Sequence, residues 1–215
     1  MSTRIADEFL VDYAAGAAPA PVGLLVATHL ALNPEARCAY RALEAAGGAL
    51  LESVKPAAVS SDALARVLAR TETAEREPAP APRPEAAEKF LPRALAEYAP
   101  DGIERLPWRR IVSGVEEALL PVTGGRAKAT MLRIAAGRAI PEHTHRGLEM
   151  TLVLDGAFAD AAGLYARGDV CVADAAITHA PTAERARDCV CLIVSEAPIR
   201  LTGTFMRLLN PFLPR

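Results

Sequence analysis

Aromatic residues make up only 5% of this 215-residue chain, and neither sign of charge dominates: 24 Lys and Arg stand against 26 Asp and Glu, a net charge of −2. A chain so balanced has no global basic field to draw nucleic acid and no acidic tail. Long apolar runs are also missing, and the longest falls far short of the ~20 residues that cross a bilayer. The opening MSTRIADEFLVDY is polar with charges of both signs, unlike a signal peptide. Cysteine is scarce, and Cys38, Cys171, Cys189 and Cys191 match no disulfide framework. Reduced thiols in a cytoplasmic setting are therefore expected, without direct nucleic-acid or membrane partners. No internal repeat is present. What the chain does have is apolar content, 51%, enough to bury a sizeable core.

That content is distributed unevenly, and an α+β protein of two parts is expected. Residues 1–75 are rich in Ala and Leu and read as a small helical bundle. Its first helix presents Ile5, Phe9, Leu10 and Tyr13 and stops at Gly16. Val22, Leu25, Val26, His29 and Leu30 follow the spacing of one helical face. Tyr40, Leu43, Gly47, Leu50 and Leu51 continue a similar stripe after Pro34, and Ser61 and Asp62 can cap the run ALARVLAR. Five prolines between Pro78 and Pro92 remove backbone donors and disfavour helix, which predicts an extended linker over residues 76–95. From 96 to 205 the texture is β: ATMLRIAAG, EMTLVLDG, DVCVAD and DCVCLIVSEAPIRLTG are short apolar or alternating runs between Gly, Pro and Asp. Such spacing predicts a sandwich or small barrel. The ending MRLLNPFLPR reads as one short helical turn.

The β part carries the chemistry. In PEHTHRGLEMTLVLDG, His143 and His145 lie two apart and share a strand face, while Glu149 keeps their parity across a turn at Gly147. Imidazoles with a carboxylate suit a first-row divalent metal, and His179, after DVCVAD, can complete the set. The alternative is a group of solvated residues at strand ends. Gly137, His143, His145, Glu149 and Gly156 occupy every fixed position of the first cupin motif, G-x5-H-x-H-x3-E-x6-G. Gly168 and His179 fit the second by spacing, although its usual proline, glycine and asparagine are here Asp174, Ala176 and Ala183. The resemblance implies a cupin, a jelly-roll barrel of double-stranded β-helix type. It would bind one divalent metal through His143, His145, Glu149 and His179, with zinc the first choice and manganese, iron and nickel also accepting the set. Only eleven residues, 157–167, separate the motifs, so the barrel should be compact.

A small helical domain followed by a cupin resembles the ChrR-type anti-sigma factors over nearly the whole chain, most visibly in YAAG (13–16), LLVATHLAL (24–32) and RALEAAGGALLE (41–52). That resemblance implies a transcriptional regulator. The helical domain would grip an extracytoplasmic-function sigma factor, and the cupin would release it in response to singlet oxygen or related oxidants. Zinc binding by both halves is also implied, the N-terminal site through an early histidine and an H-x3-C-x2-C motif. His29 matches the motif's histidine, but Asn33 and Ala36 hold the cysteine positions, and Arg4 or a neighbour stands for the early histidine. A tetrahedral N-terminal zinc is therefore not expected. His29 is expected to be a hydrogen-bonded residue of an apolar helix face and Cys38 a small buried one. Cys189 and Cys191 share a strand face. They are read as inert buried thiols, with a redox switch as the alternative. Two other functions stay open: a metal-dependent cupin enzyme such as a dioxygenase or isomerase, and a stand-alone cupin regulator whose helices serve homodimerisation.

Overall fold

The computed structural model describes residues 4–73 and 91–202. Four helices come first: α1 (Asp7–Ala14), α2 (Ala20–Leu32), α3 (Pro34–Glu52) and α4 (Ala63–Thr73). Most of the proline-rich stretch expected to be a linker, and the closing MRLLNPFLPR, lie outside the described residues. Residues 91–95, the end of the expected linker, are not extended. Pro92 starts a short helix, α5 (Arg93–Ala96), and Leu91, Leu95 and Ala96 are buried. Leu91, Pro92, Leu95 and Ala96 bury apolar side chains, which gives that turn a reason to pack.

Helix α2 departs from the expected single face. Pro21, Leu24, Leu25, Val26, Thr28, His29 and Leu30 are all buried. The helix lies between α1 and α3 on one side and α5 and the barrel on another, and a helix packed all round reads as hydrophobic all round. Pro34 and the Asn33 side chain, which accepts from Ala36 N at 2.9 Å, start α3 sharply. The expected stripe of α3 then divides. Tyr40 and Leu43 pack against the core, whereas Leu50 and Leu51 are 71% and 73% exposed. In α4, Asp62 pairs with Arg66 at 3.6 Å, and Leu64, Val67 and Leu68 face solvent. Among the described residues no helix is long and apolar enough to cross a membrane.

The twelve strands among the described residues are β1 (Arg109–Val112), β2 (Val115–Leu119), β3 (Lys128–Ile134), β4 (His143–Thr144), β5 (Glu149–Asp155), β6 (Ala157–Asp160), β7 (Gly163–Ala166), β8 (Val170–Ala173), β9 (Thr178–His179), β10 (Thr182–Ala183), β11 (Cys189–Ser195) and β12 (Arg200–Leu201). They form a six-stranded sheet, β1-β2-β3-β11-β5-β8, and two three-stranded sheets, β10-β6-β7 and β12-β4-β9, with every pairing antiparallel. The centre of the large sheet, at β5 and β11, is buried on both faces, which explains the nearly continuous apolar run of β11. Its residues Val190, Leu192 and Val194 join a core shared with the helices, while Cys189 and Cys191 point into the barrel with Leu132, Val153 and Phe158. The same alternation in β5 sends Met150, Leu152 and Leu154 towards α2 and gives Glu149 and Thr151 the inward parity of Val153. Gly156, which closes the first motif, has φ +71°, and a Cβ there would lie 2.2 Å from the Asp188 carbonyl oxygen. Only glycine permits that crossing of β5 over the approach to β11.

Candidate metal centre

Strand pairing assembles the site. His143 and His179 sit directly opposite each other in the β4–β9 pair, which turns 36 residues of sequence separation into adjacent side chains. Glu149 opens β5, and a bend at Arg146 and Gly147 lets the chain pass from β4 to β5. A Cβ on Gly147 would come within 2.9 Å of the Glu196 carboxylate, whose Oε2 accepts from Leu148 N. The second motif has lost its proline and glycine, yet its turn survives. Asp174 Oδ1 accepts from Ala176 N at 2.8 Å, an Asx turn in place of the usual residues.

All four polar residues are buried, taken whole: His143 at 2%, His145 at 3%, His179 at 8% and Glu149 at 9% exposure. One donor atom from each lies within 4.8 Å of the others, a group that can hold a metal ion. Solvated strand ends would not look like this. Hydrogen bonds fix two of the tautomers. His143 Nδ1–H donates to the Pro141 carbonyl at 2.8 Å, and His179 Nδ1–H donates to Asp160 Oδ2 at 2.9 Å, so Nε2 of both rings is bare. His145 Nε2 stands 3.1 Å from His179 Nε2, and His145 Nδ1 is buried without a hydrogen-bond partner among the described residues, 3.6 Å from Glu149 Oε2. A proton on His145 Nε2 bridges that pair in the free side chains. A cation held by His143, His145, Glu149 and His179 would take the place of that proton. Ligand atoms about 2.1 Å from one metal stand about 3.0–3.4 Å apart, so the observed separation fits. Burial, reinforced by the neighbouring imidazoles, holds His143 below the usual histidine range and keeps it in the neutral form a metal requires.

Asp160 is absent from the motif. It ends β6 in the segment FADAAG, which has the composition of a hairpin turn, and nothing in one sequence distinguishes it from a turn residue. In three dimensions its side chain is 2% exposed and rests on His179.

His29 is fully buried, as expected, but its role reaches further than its own helix. Its Nδ1–H donates to the Gly168 carbonyl at 2.9 Å, and its Nε2 takes a long 3.4 Å bond from Ile5 N. Gly168 opens the second cupin motif with φ +90°, and a Cβ there would touch Leu32 at 3.4 Å. Burial keeps His29 below the usual histidine range, hence neutral. Cys38 is the correction: it is exposed on α3, because that position turns away from Ala36 and the core. The remaining thiols are buried, with Cys189 and Cys191 Sγ atoms 3.6 Å apart. Hydrogen bonding to Cys189, together with burial, pushes the Cys191 thiol well up, and burial pushes Cys171 up to about 11. These are the surroundings of unreactive thiols.

A protein-family model, the ChrR cupin-like domain, matches residues 102–198. The anti-sigma-E factor ChrR of Cereibacter sphaeroides is 43% identical over 209 residues, covering 97% of this chain and 96% of that protein. A solved structure of Rhodobacter sphaeroides SigE in complex with the anti-sigma ChrR matches at 40% identity with a TM-score of 0.75, covering 89% of this chain and 97% of that one. The likeness covers 97% of the chain in sequence and 89% in structure, and the chain belongs to the ChrR family of anti-sigma factors.

Proposed function

We propose that this protein holds an extracytoplasmic-function sigma factor away from RNA polymerase through α3 and α4, and that its cupin senses oxidants such as singlet oxygen. The observation that carries the reading is the exposed apolar surface of the helical part. Leu50, Leu51, Val54, Leu64, Val67 and Leu68 are each more than half exposed within nineteen residues. A soluble chain leaves such side chains uncovered together where a partner covers them, and the related ChrR was solved with SigE bound. We assign His143, His145, Glu149 and His179 as ligands of one divalent metal, zinc first. Bound there, the metal would offer a Lewis-acid centre with open coordination positions.

The cavity at the site measures about 20 Å³ and is lined by Ile134, Ile140, Phe158, Pro181 and Ile193 beside the polar group. That is room for one water-sized molecule. It favours a sensor of a small oxidant over an enzyme acting on an organic substrate. Through α2 the helices also share one apolar core with β5 and β11, a physical contact by which a change in the barrel can reach them. The cytoplasm, where a sigma factor resides, is the proposed location. To test the regulatory reading, tagged full-length protein is passed over lysate of its native host and retained proteins are identified by mass spectrometry. Retention of a sigma factor is expected, and its absence would remove the anti-sigma role.

A further inference from the structure

The two carboxylate oxygens of Asp160 do different work. Oδ1 accepts from the backbone N–H groups of Ala162 at 2.8 Å and Gly163 at 3.3 Å, closing the β6–β7 hairpin. Oδ2 accepts from His179 Nδ1 at 2.9 Å. The Asp160 side chain is 2% exposed and the His179 side chain 6%, so water does not compete for the bond between them. A hairpin turn needs only the first oxygen and has no use for burying a carboxylate against an imidazole. The second bond has a chemical consequence for His179 alone. It places the ring proton on Nδ1, so that Nε2 presents its lone pair towards His145, His143 and Glu149.

We infer that Asp160 is the positioning residue of the metal centre: it fixes the tautomer and orientation of His179 from behind the ligand set. The inference rests on the proposed metal reading and adds a residue to it. His143 has a backbone carbonyl for the same purpose, and a carbonyl cannot be changed by substitution. Asp160 is thus the place where the site's outer support is encoded in a side chain.

Asp160→Asn separates the two roles. Its amide oxygen can keep the Asx turn, held there by two N–H donors. The amide NH2 then faces His179 Nδ1, where it can only donate, and the ring must move its proton to Nε2. That tautomer cannot ligate. Full-length protein and D160N are stripped of metal, and zinc affinity is read by competition with a chromophoric chelator. Thermal melts of the stripped forms and long-range proton–nitrogen NMR of the imidazoles accompany the titration. The expected result is a 10- to 100-fold weaker affinity in D160N, with an unchanged melt. His179 should shift from the Nδ1–H form in the wild type to the Nε2–H form in the variant. Zinc affinity within twofold of the wild type would overturn the inference, as would an Nε2–H His179 in the stripped wild type. A wild type that binds no zinc overturns the metal reading itself, and with it the positioning role. If D160N fails to fold, the wild-type tautomer decides alone, with Nδ1–H supporting the assignment and Nε2–H refuting it.

Discussion

Replacing His29 with alanine measures how strongly the helical part is fastened to the barrel. The side chain is fully buried between α1, α2 and the turn at Gly168. Its removal strands the Gly168 carbonyl, also buried, at a cost of about 1–3 kcal/mol. The emptied space adds about 2 kcal/mol or more, by comparison with other large-to-alanine changes. Together these give roughly 3–5 kcal/mol, and at about 2–4 °C per kcal/mol for a chain of this size the melting temperature should fall by roughly 6–20 °C. Differential scanning calorimetry of the metal-free forms reads this directly. The loss must also depend on pH. Burial lowers the folded-state pKa of His29 below the ordinary 6.5, so the wild type has its full advantage above pH 6.5 and loses it progressively as pH falls from there through the lowered folded-state value. The gap between wild type and variant should narrow from pH 7.5 to pH 5. A fall of less than about 2 °C at neutral pH, or a gap that widens on acidification, would refute the fastening role of His29.

Other expectations follow from the same geometry. In native protein an aqueous thiol reagent should modify one of the four cysteines, Cys38, at an ordinary rate, and all four after denaturation; fast native labelling of Cys189 or Cys191 would contradict their burial. Leu50→Asp with Leu51→Asp should weaken sigma-factor binding by at least tenfold in a titration. The same pair should change folding stability by less than about 1 kcal/mol, since both side chains are in solvent; unchanged binding would place the grip elsewhere. His179→Ala or Glu149→Gln should lower metal content after dialysis, read by plasma mass spectrometry, and a full equivalent in either variant would break the proposed ligand set.

What was legible in the sequence was whatever a fixed spacing encodes. His143, His145, Glu149 and His179 follow a motif whose spacing reflects strand register, and they meet in space because β4 pairs with β9 and β5 faces inward. The helices were legible from apolar period and from Pro34 and Gly16. Burial was less so, because periodicity shows that a face is apolar and not what covers it. Leu25 and Leu50 look alike in a helical stripe, yet one is fully buried and the other 71% exposed. Cys38 was misplaced for a related reason: its chemistry suits a core, and only the rotation of α3 relative to α2 puts it outside. Asp160 and the His29–Gly168 bond were beyond reach, since each joins parts of the chain through tertiary contact with no local signature.

The regulatory claim is tested most directly by transcription in vitro. The sigma factor from the same host is mixed with core RNA polymerase and a promoter it serves, and the protein is added in rising amounts. Transcript should fall to background near one equivalent of added protein per sigma factor and stay unaffected when a housekeeping sigma factor is used instead. Undiminished transcript at a tenfold excess would contradict the account.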